Sequence, residues 1–261
     1  MELRKGKWAL VTGASAGIGQ ALAGQLAAGG AHLVLVARRL DRLERLAKDL
    51  RDKHGIHVEV LAADLARPGA PDEVFSFTSG KGIEVELLCN NAGFGAYGAF
   101  HKSELPRQLE MVQVNCAAVV HLTHLYLPPM IARGHGGILI LASTAAFQGV
   151  PYIATYAATK AFDLLFAEAL AEEVARHGVR VCALCPGSTA TEFQQVAGQP
   201  DRMFSRAETA EKVARVGLEA IAAGKSSVIS GLGNFLGAES QRFVPRRMVT
   251  RIAAKMFEPS A

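Results

Sequence analysis

The sequence predicts an α/β fold: one doubly wound domain over residues 1–261, with a parallel seven-stranded sheet and helices on both faces. Three observations lead there. Seven short apolar runs, several of them β-branched, recur along the chain. They are apolar along most of their length rather than alternating, which marks strands buried on both faces. Longer helical patterns separate them, as parallel strands joined by crossovers require.

The strand candidates are 8–12, 32–37, 57–63, 85–89, 137–143, 179–185 and 226–230. Helical stretches fall at 18–29, 41–53, 104–132, 153–176 and 208–223. No linker or low-complexity tract divides the chain. Two regions break the alternation. Residues 186–207 are polar and contain Gly, Pro and Gln; a connection that long is a binding loop or lid, here expected to be a substrate loop. Residues 238–258 mix Phe243, Met248, Ile252 and Met256 with Arg246, Arg247, Arg251 and Lys255, an amphipathic basic segment. It is expected to dock on the domain or a partner subunit, with peripheral membrane contact as the alternative. Pro245 should kink that helix or mark its first turn.

Composition narrows the function. A formal charge of +4 over 261 residues is no nucleic-acid signature. No run of 18 or more apolar residues appears, so no integral membrane span is expected, and no secretory signal is evident. Cys89, Cys116, Cys182 and Cys185 lie in apolar runs and read as buried thiols, with no metal site. The expectation is a cytoplasmic protein.

The first strand runs directly into "TGASAGIG", with Gly13, Gly17 and Gly19. Glycines there permit a tight turn and expose amide groups at a helix start, which is an anion site. Between a first strand and a first helix this points to a Rossmann-type dinucleotide site. The stretch lacks the Gly-Lys-Ser/Thr of a triphosphate loop. At the end of the second strand stand Ala37, Arg38 and Arg39. An acid at that edge would bind a ribose 2′-hydroxyl. Its absence, with guanidinium groups present, suits a 2′-phosphate, and Arg38 is the better candidate. Arg39 reads as a second phosphate partner or a solvated residue. Asp64 and Leu65 close the third strand, placed for an adenine amino group and ring; helix capping by Asp64 is the alternative.

Further on, "STAAFQGVPYIATYAATK" puts Tyr156 and Lys160 one helical turn apart, thirteen residues after Ser143. A lysine on the same face favours phenolate, and a serine at a strand tip can grip a reacting oxygen. The arrangement suggests proton transfer to or from an alcohol or carbonyl. Bringing a tyrosine from about 10 to about 7 requires roughly 4 kcal/mol of preferential phenolate stabilisation.

Taken together these motifs resemble the short-chain dehydrogenases/reductases, in their NADP-preferring form. "TGASAGIG" is similar to that family's cofactor loop, with Ser15, Ala16 and Ile18 among its glycines. "NNAG" resembles its second glycine motif and brings in Asn91, Ala92 and Gly93. Asn115 falls where the family has its helix asparagine, and "PGSTAT" resembles the segment passing the nicotinamide, with Pro186, Gly187, Thr189 and Thr191. The resemblance implies NADPH-dependent reduction of a ketone or aldehyde to an alcohol. Asn115, Ser143, Tyr156 and Lys160 would be the catalytic residues. Tyr156 would be the general acid or base, Lys160 would lower its pKa and hold the nicotinamide ribose, Ser143 would hold the substrate oxygen, and Asn115 a relay water. It also implies a homodimer or homotetramer built on the two long helices. The expected pocket walls, 94–97, Thr144 to Gln148, Ile153 and 188–207 with Phe193, are mostly apolar or small, so a hydrophobic carbonyl substrate fits. An NAD-preferring alcohol dehydrogenase and a catalytically silent dinucleotide-binding scaffold or redox sensor are the alternatives.

Overall fold

The structure, a computed structural model, describes residues 5–199 and 207–259. Seven strands form one parallel sheet: β1 (Trp8–Thr12), β2 (His32–Ala37), β3 (Val58–Ala62), β4 (Val85–Asn90), β5 (Gly136–Leu141), β6 (Val179–Cys185) and β9 (Ser227–Ile229). Their order is β3-β2-β1-β4-β5-β6-β9. The strand order reverses beside β1, the switch point where doubly wound folds bind ligands. A short parallel pair, β7 (Thr189–Ala190) with β8 (Glu208–Thr209), lies outside that sheet.

The uniform apolarity of the strands follows from two cores. Side chains alternate across a sheet. In β1, Leu10 joins the core containing Val34, Leu88, Ile138 and Met111, while Ala9 and Val11 join the core containing Leu33, Leu35, Leu87 and Leu139. α3 (Ala70–Gly80), α4 (Leu105–Val112), α5 (Ala118–Ala132) and α6 (Ala154–Val174) cover the first face. α1 (Gly17–Ala28), α2 (Leu40–His54) and α8 (Ala210–Ala222) cover the second. α2 shows why such helices end where they do. Asp41 sits in its first turn, Arg51, Lys53 and His54 in its last, and Gly55 closes it at φ +64°.

Four expectations change. The stretch 104–132 is not one regular helix: a π-helical segment, Gln113–Ala117, lies between α4 and α5 and carries Asn115. α3 goes unseen in the sequence because "APDEVFSFTSG" has weak helical periodicity. The segment 186–207 is not a plain loop, since it holds β7 and α7 (Phe193–Ala197); residues 200–206 lie outside the described residues. The tail forms two helices, α9 (Leu232–Ser240) and α10 (Arg246–Phe257). Pro245 immediately precedes α10, where its missing amide is no loss. α10 docks on the domain through Ala253 and Phe257, against Val150, Ile153, Ala157 and Tyr97.

Candidate active site

The carboxyl ends of β1, β4, β5 and β6 open into one cavity of about 860 Å³. It runs from the glycine turn to Tyr156 and on to α9 and α10. All the predicted cofactor-contact and catalytic residues line it except Gly19 and Asn115, which lie just behind its wall.

At the turn, Gly13 and Gly17 have φ of +65° and +57°. A Cβ on Gly19 would come within 2.3 Å of the Gly13 carbonyl oxygen, and one on Gly17 within 2.9 Å of Thr191. α1 begins there without any side-chain cap, so its first amides face the cavity. Thr12 ties the turn to the "NNAG" segment: its hydroxyl accepts from the amides of Asn91 and Ala92 at 3.0 Å each. The Asn91 side chain donates to the Thr12 carbonyl at 2.8 Å.

The two arginines after β2 part company. Arg38 is exposed, 3.7 Å from Glu110. Arg39 reaches back over the turn, 3.2 Å from the Ser15 hydroxyl and 2.9 Å from Glu192. Arg42 also meets Glu192, at 2.5 Å, and the two arginines hold that carboxyl below its ordinary range. Ala37 is buried and Leu65 packs at the cavity wall. Asp64 accepts from the Ala66 amide at 3.1 Å, so it caps the turn after β3 as well as facing the cavity.

Asn115 is fully buried, and its side chain is spent on structure. It accepts from the Phe94 amide at 3.1 Å and donates to the Phe94 carbonyl and the Thr159 hydroxyl, both at 3.0 Å. The π segment aims it there, and it fixes the chain just after Gly93.

Ser143 lies just past the end of β5. Its hydroxyl accepts from the Ala145 amide at 3.1 Å, capping a 3-10 turn, and it lines the cavity with Tyr156. Lys160, one turn after Tyr156 on α6, donates to the Leu141 carbonyl at 2.6 Å and to Asp163 at 2.9 Å. Its ammonium lies 6.0 Å from the centre of the Tyr156 ring. Phe193 leans on that ring, centroids 5.3 Å apart.

Asp163 is the site residue that sequence reasoning missed. It is 0% exposed, and its second oxygen has no hydrogen-bond partner among the described residues. Burial pushes its carboxyl up to about 6, against the pull of Lys160. Burial also works against the Lys160 ammonium, but Asp163 and Tyr156 outweigh it and hold the group above its ordinary value. Tyr156 ends above its usual range: burial raises it, and Lys160 and Ser143 recover only part, with Asp163 opposing them. Burial therefore works against the phenolate that the Tyr-Lys spacing favours. A signal for Asp163 was available: it follows Lys160 by three residues, so both fall on one helical face.

Past β6, the Pro186 carbonyl accepts from the Thr144 amide at 2.9 Å and joins the two strand ends. A Cβ on Gly187 would strike the Asn234 side chain of α9 at 2.4 Å. Thr189 and Thr191 follow on the cavity wall. α9 and α10 close the far side with Asn234, Ile252 and Met256, a wall the sequence did not foretell. The four cysteines are free, and three of them are buried. No metal-binding group of side chains occurs among the described residues.

A dinucleotide fits this site. The turn requires glycine at its tightest points, uncapped amides face the cavity, and no carboxylate occupies the Ala37 position. Comparison with known proteins agrees with that architecture. The family model described as short chain dehydrogenase matches residues 7–202. The chain belongs to the short-chain dehydrogenase family. It is 39% identical over 181 residues to a very-long-chain 3-oxoacyl-CoA reductase of Phaeosphaeria nodorum, covering 68% of this chain and 53% of that protein. The chain thus spans about half the length of that relative. It is 32% identical over 193 residues to a 7beta-hydroxysteroid dehydrogenase of Collinsella aerofaciens, covering 73% of each. A solved short-chain dehydrogenase from Sphingobium yanoikuyae in complex with NADPH superposes with a TM-score of 0.84 at 29% identity, over 93% of this chain and 94% of that one.

Proposed function

We infer that this chain is an NADPH-dependent carbonyl reductase, reversible as an alcohol dehydrogenase, acting on a largely hydrophobic ketone or aldehyde. One observation carries the reading: Ser143, Tyr156 and Lys160 meet in the same cavity as the glycine turn. NADPH, when bound, supplies the hydride. Gly13, Ser15, Ala16, Gly17, Ile18 and Gly19 would hold its pyrophosphate at the start of α1. Arg38, with Arg39 swung from Glu192, would hold the 2′-phosphate. Asp64 and Leu65 would meet the adenine, and Asn91, Ala92 and Gly93 the ribose side. Pro186, Gly187, Thr189 and Thr191 would flank the nicotinamide.

The protein's own part is position and proton transfer. Ser143 holds the substrate oxygen beside the Tyr156 hydroxyl. In reduction the phenol gives its proton to the developing alkoxide; in oxidation the phenolate takes it back. Burial holds Tyr156 in its protonated form, the form that can donate. Lys160, anchored by Leu141 and Asp163, stabilises the phenolate left behind. Asn115 acts through the Phe94 main chain, and a relay water would meet its backbone rather than its occupied amide. The segment 186–207 serves as the substrate loop. Phe94, Val150, Ile153, Phe193, Ile252 and Met256 give the pocket its apolar lining. The names of the two curated relatives, for acyl-CoA and steroid substrates, favour the same bulky, apolar class. Exposed Leu105 and Leu109 on α4, with Leu165 on α6, support homo-oligomer assembly through the long helices.

NADPH oxidation across a panel of hydrophobic ketones tests the reading. Tyr156→Phe should lose turnover by about a hundredfold or more while NADPH affinity changes little, because the phenol acts in the transition state. Near-normal turnover in that variant refutes the assignment.

A further inference from the structure

The two helices that close the cavity carry an apolar and basic outer face. On α9, Leu232, Phe235 and Leu236 recur at helical spacing and are exposed, Leu232 at 74%. Phe243, in the turn that follows, is 88% exposed. On α10 two stripes run side by side at four-residue spacing. Met248, Ile252 and Met256 form one, all exposed; Arg247, Arg251 and Lys255 form the other. The inward stripe, Val249, Ala253 and Phe257, is the one that packs on the domain and lines the cavity. The outer face is thus not left over from core packing.

Residues 232–258 hold five cations, Arg242, Arg246, Arg247, Arg251 and Lys255, against two carboxylates, Glu239 and Glu258. Ile252 and Met256 belong to both the exposed stripe and the cavity lining, so the patch borders the cavity mouth. Contiguous apolar patches bounded by charge mark interaction sites. A second copy is a poor occupant, since a two-fold contact would face these cations with their own kind. A helix with an apolar stripe beside a lysine/arginine stripe instead matches an anionic bilayer surface: the apolar side chains enter the acyl boundary and the cations meet the headgroups.

We propose that α9 and α10 form a docking surface for anionic lipid membranes and hold the cavity mouth against the bilayer, so that an apolar substrate passes from lipid into the site. The docking itself does not depend on the reductase reading. Among the described residues no helix is long and apolar enough to cross a membrane.

The test is co-sedimentation of the full chain, without substrate, with vesicles of phosphatidylcholine alone or containing about 30% phosphatidylglycerol. Binding should need the anionic lipid and weaken about tenfold or more between roughly 0.05 and 0.5 M salt. Leu236→Glu with Phe243→Glu should lower it about tenfold or more, and so should Arg247→Glu with Arg251→Glu. None of these four residues lines the cavity, so thermal stability and turnover of a water-soluble ketone should stay unchanged. No sedimentation with anionic vesicles at low salt overturns the proposal. So does sedimentation that survives both pairs of substitutions. Loss of self-association in place of vesicle binding also overturns it, because a second copy would then cover the face. A chain that binds vesicles but reduces no ketone leaves the docking surface standing and refutes the proposed activity.

Discussion

Replacing Asp163 with Asn isolates the buried pair beneath Tyr156. Asn keeps the shape and an acceptor for Lys160 but removes the negative charge. Burial has raised the Asp163 carboxyl from 3.8 to about 6, so the folded chain holds that proton more tightly than the unfolded chain does. The sign follows: the stability this group contributes is full below about pH 4 and is lost as pH rises through about 6. The gap between 3.8 and about 6 corresponds to roughly 3 kcal/mol. Roughly half of it, on the order of 1 kcal/mol, falls between pH 5 and pH 8. Urea unfolding of both proteins at those two pH values measures it. The pH-dependent loss should be smaller in Asp163→Asn by about that amount, since all other titrating groups are shared. The catalytic consequence has the opposite origin. The Asp163 charge raises Tyr156, so its removal should shift the acid limb of alcohol oxidation to lower pH. Equal pH dependence of stability in the two proteins would show that Asp163 is not ionising in a buried site. An unmoved acid limb would show that its charge does not reach the phenol.

Lys160→Ala should impair both turnover and NADPH affinity and leave Asp163 buried without its partner, a loss of about 3–5 kcal/mol moderated by protonation of the carboxyl; isothermal titration and melting curves check the two effects. Ala37→Asp with Arg38→Leu should move selectivity toward NADH by about ten- to a hundredfold in kcat/KM, and an unchanged NADPH to NADH ratio would show that Arg39 alone holds the phosphate. Amide exchange across 186–199 should slow on binding NADPH with a substrate analogue, because Phe193 and Thr191 line the cavity; equal protection in both states argues for a rigid wall.

The fold was legible because its signal is local. Strands buried on both faces are apolar at nearly every position, and β1, β2 and β6 fall where the runs "WALVT", "HLVLVA" and "VRVCALC" predict. The turn at Gly13 to Gly19 was legible for the same reason: its backbone angles and close contacts exclude other residues, so it leaves its mark in composition. The Tyr156 and Lys160 pair is written in one helical turn.

Other features depend on what lies opposite, which no local pattern records. Whether Arg38 or Arg39 reaches the turn was decided by Ser15 and Glu192, the latter 153 residues away from Arg39. Asp163 looks like an ordinary helical carboxylate until α6 packs it, fully buried, against the amine one turn back. Tyr156 could be read as a lowered tyrosine from its spacing alone; burial is a tertiary quantity, and it outweighs the lysine. That α9 and α10 wall the cavity was not legible: α9, with Gly233 and Gly237, has weak periodicity, and the amphipathic pattern of α10 does not say what it packs against; only the folded chain brings Asn234 against Gly187 and Phe257 against Tyr97. Local sequence determined the elements and the reactive turn of helix; long-range packing decided the charge state of the site and what closes over it.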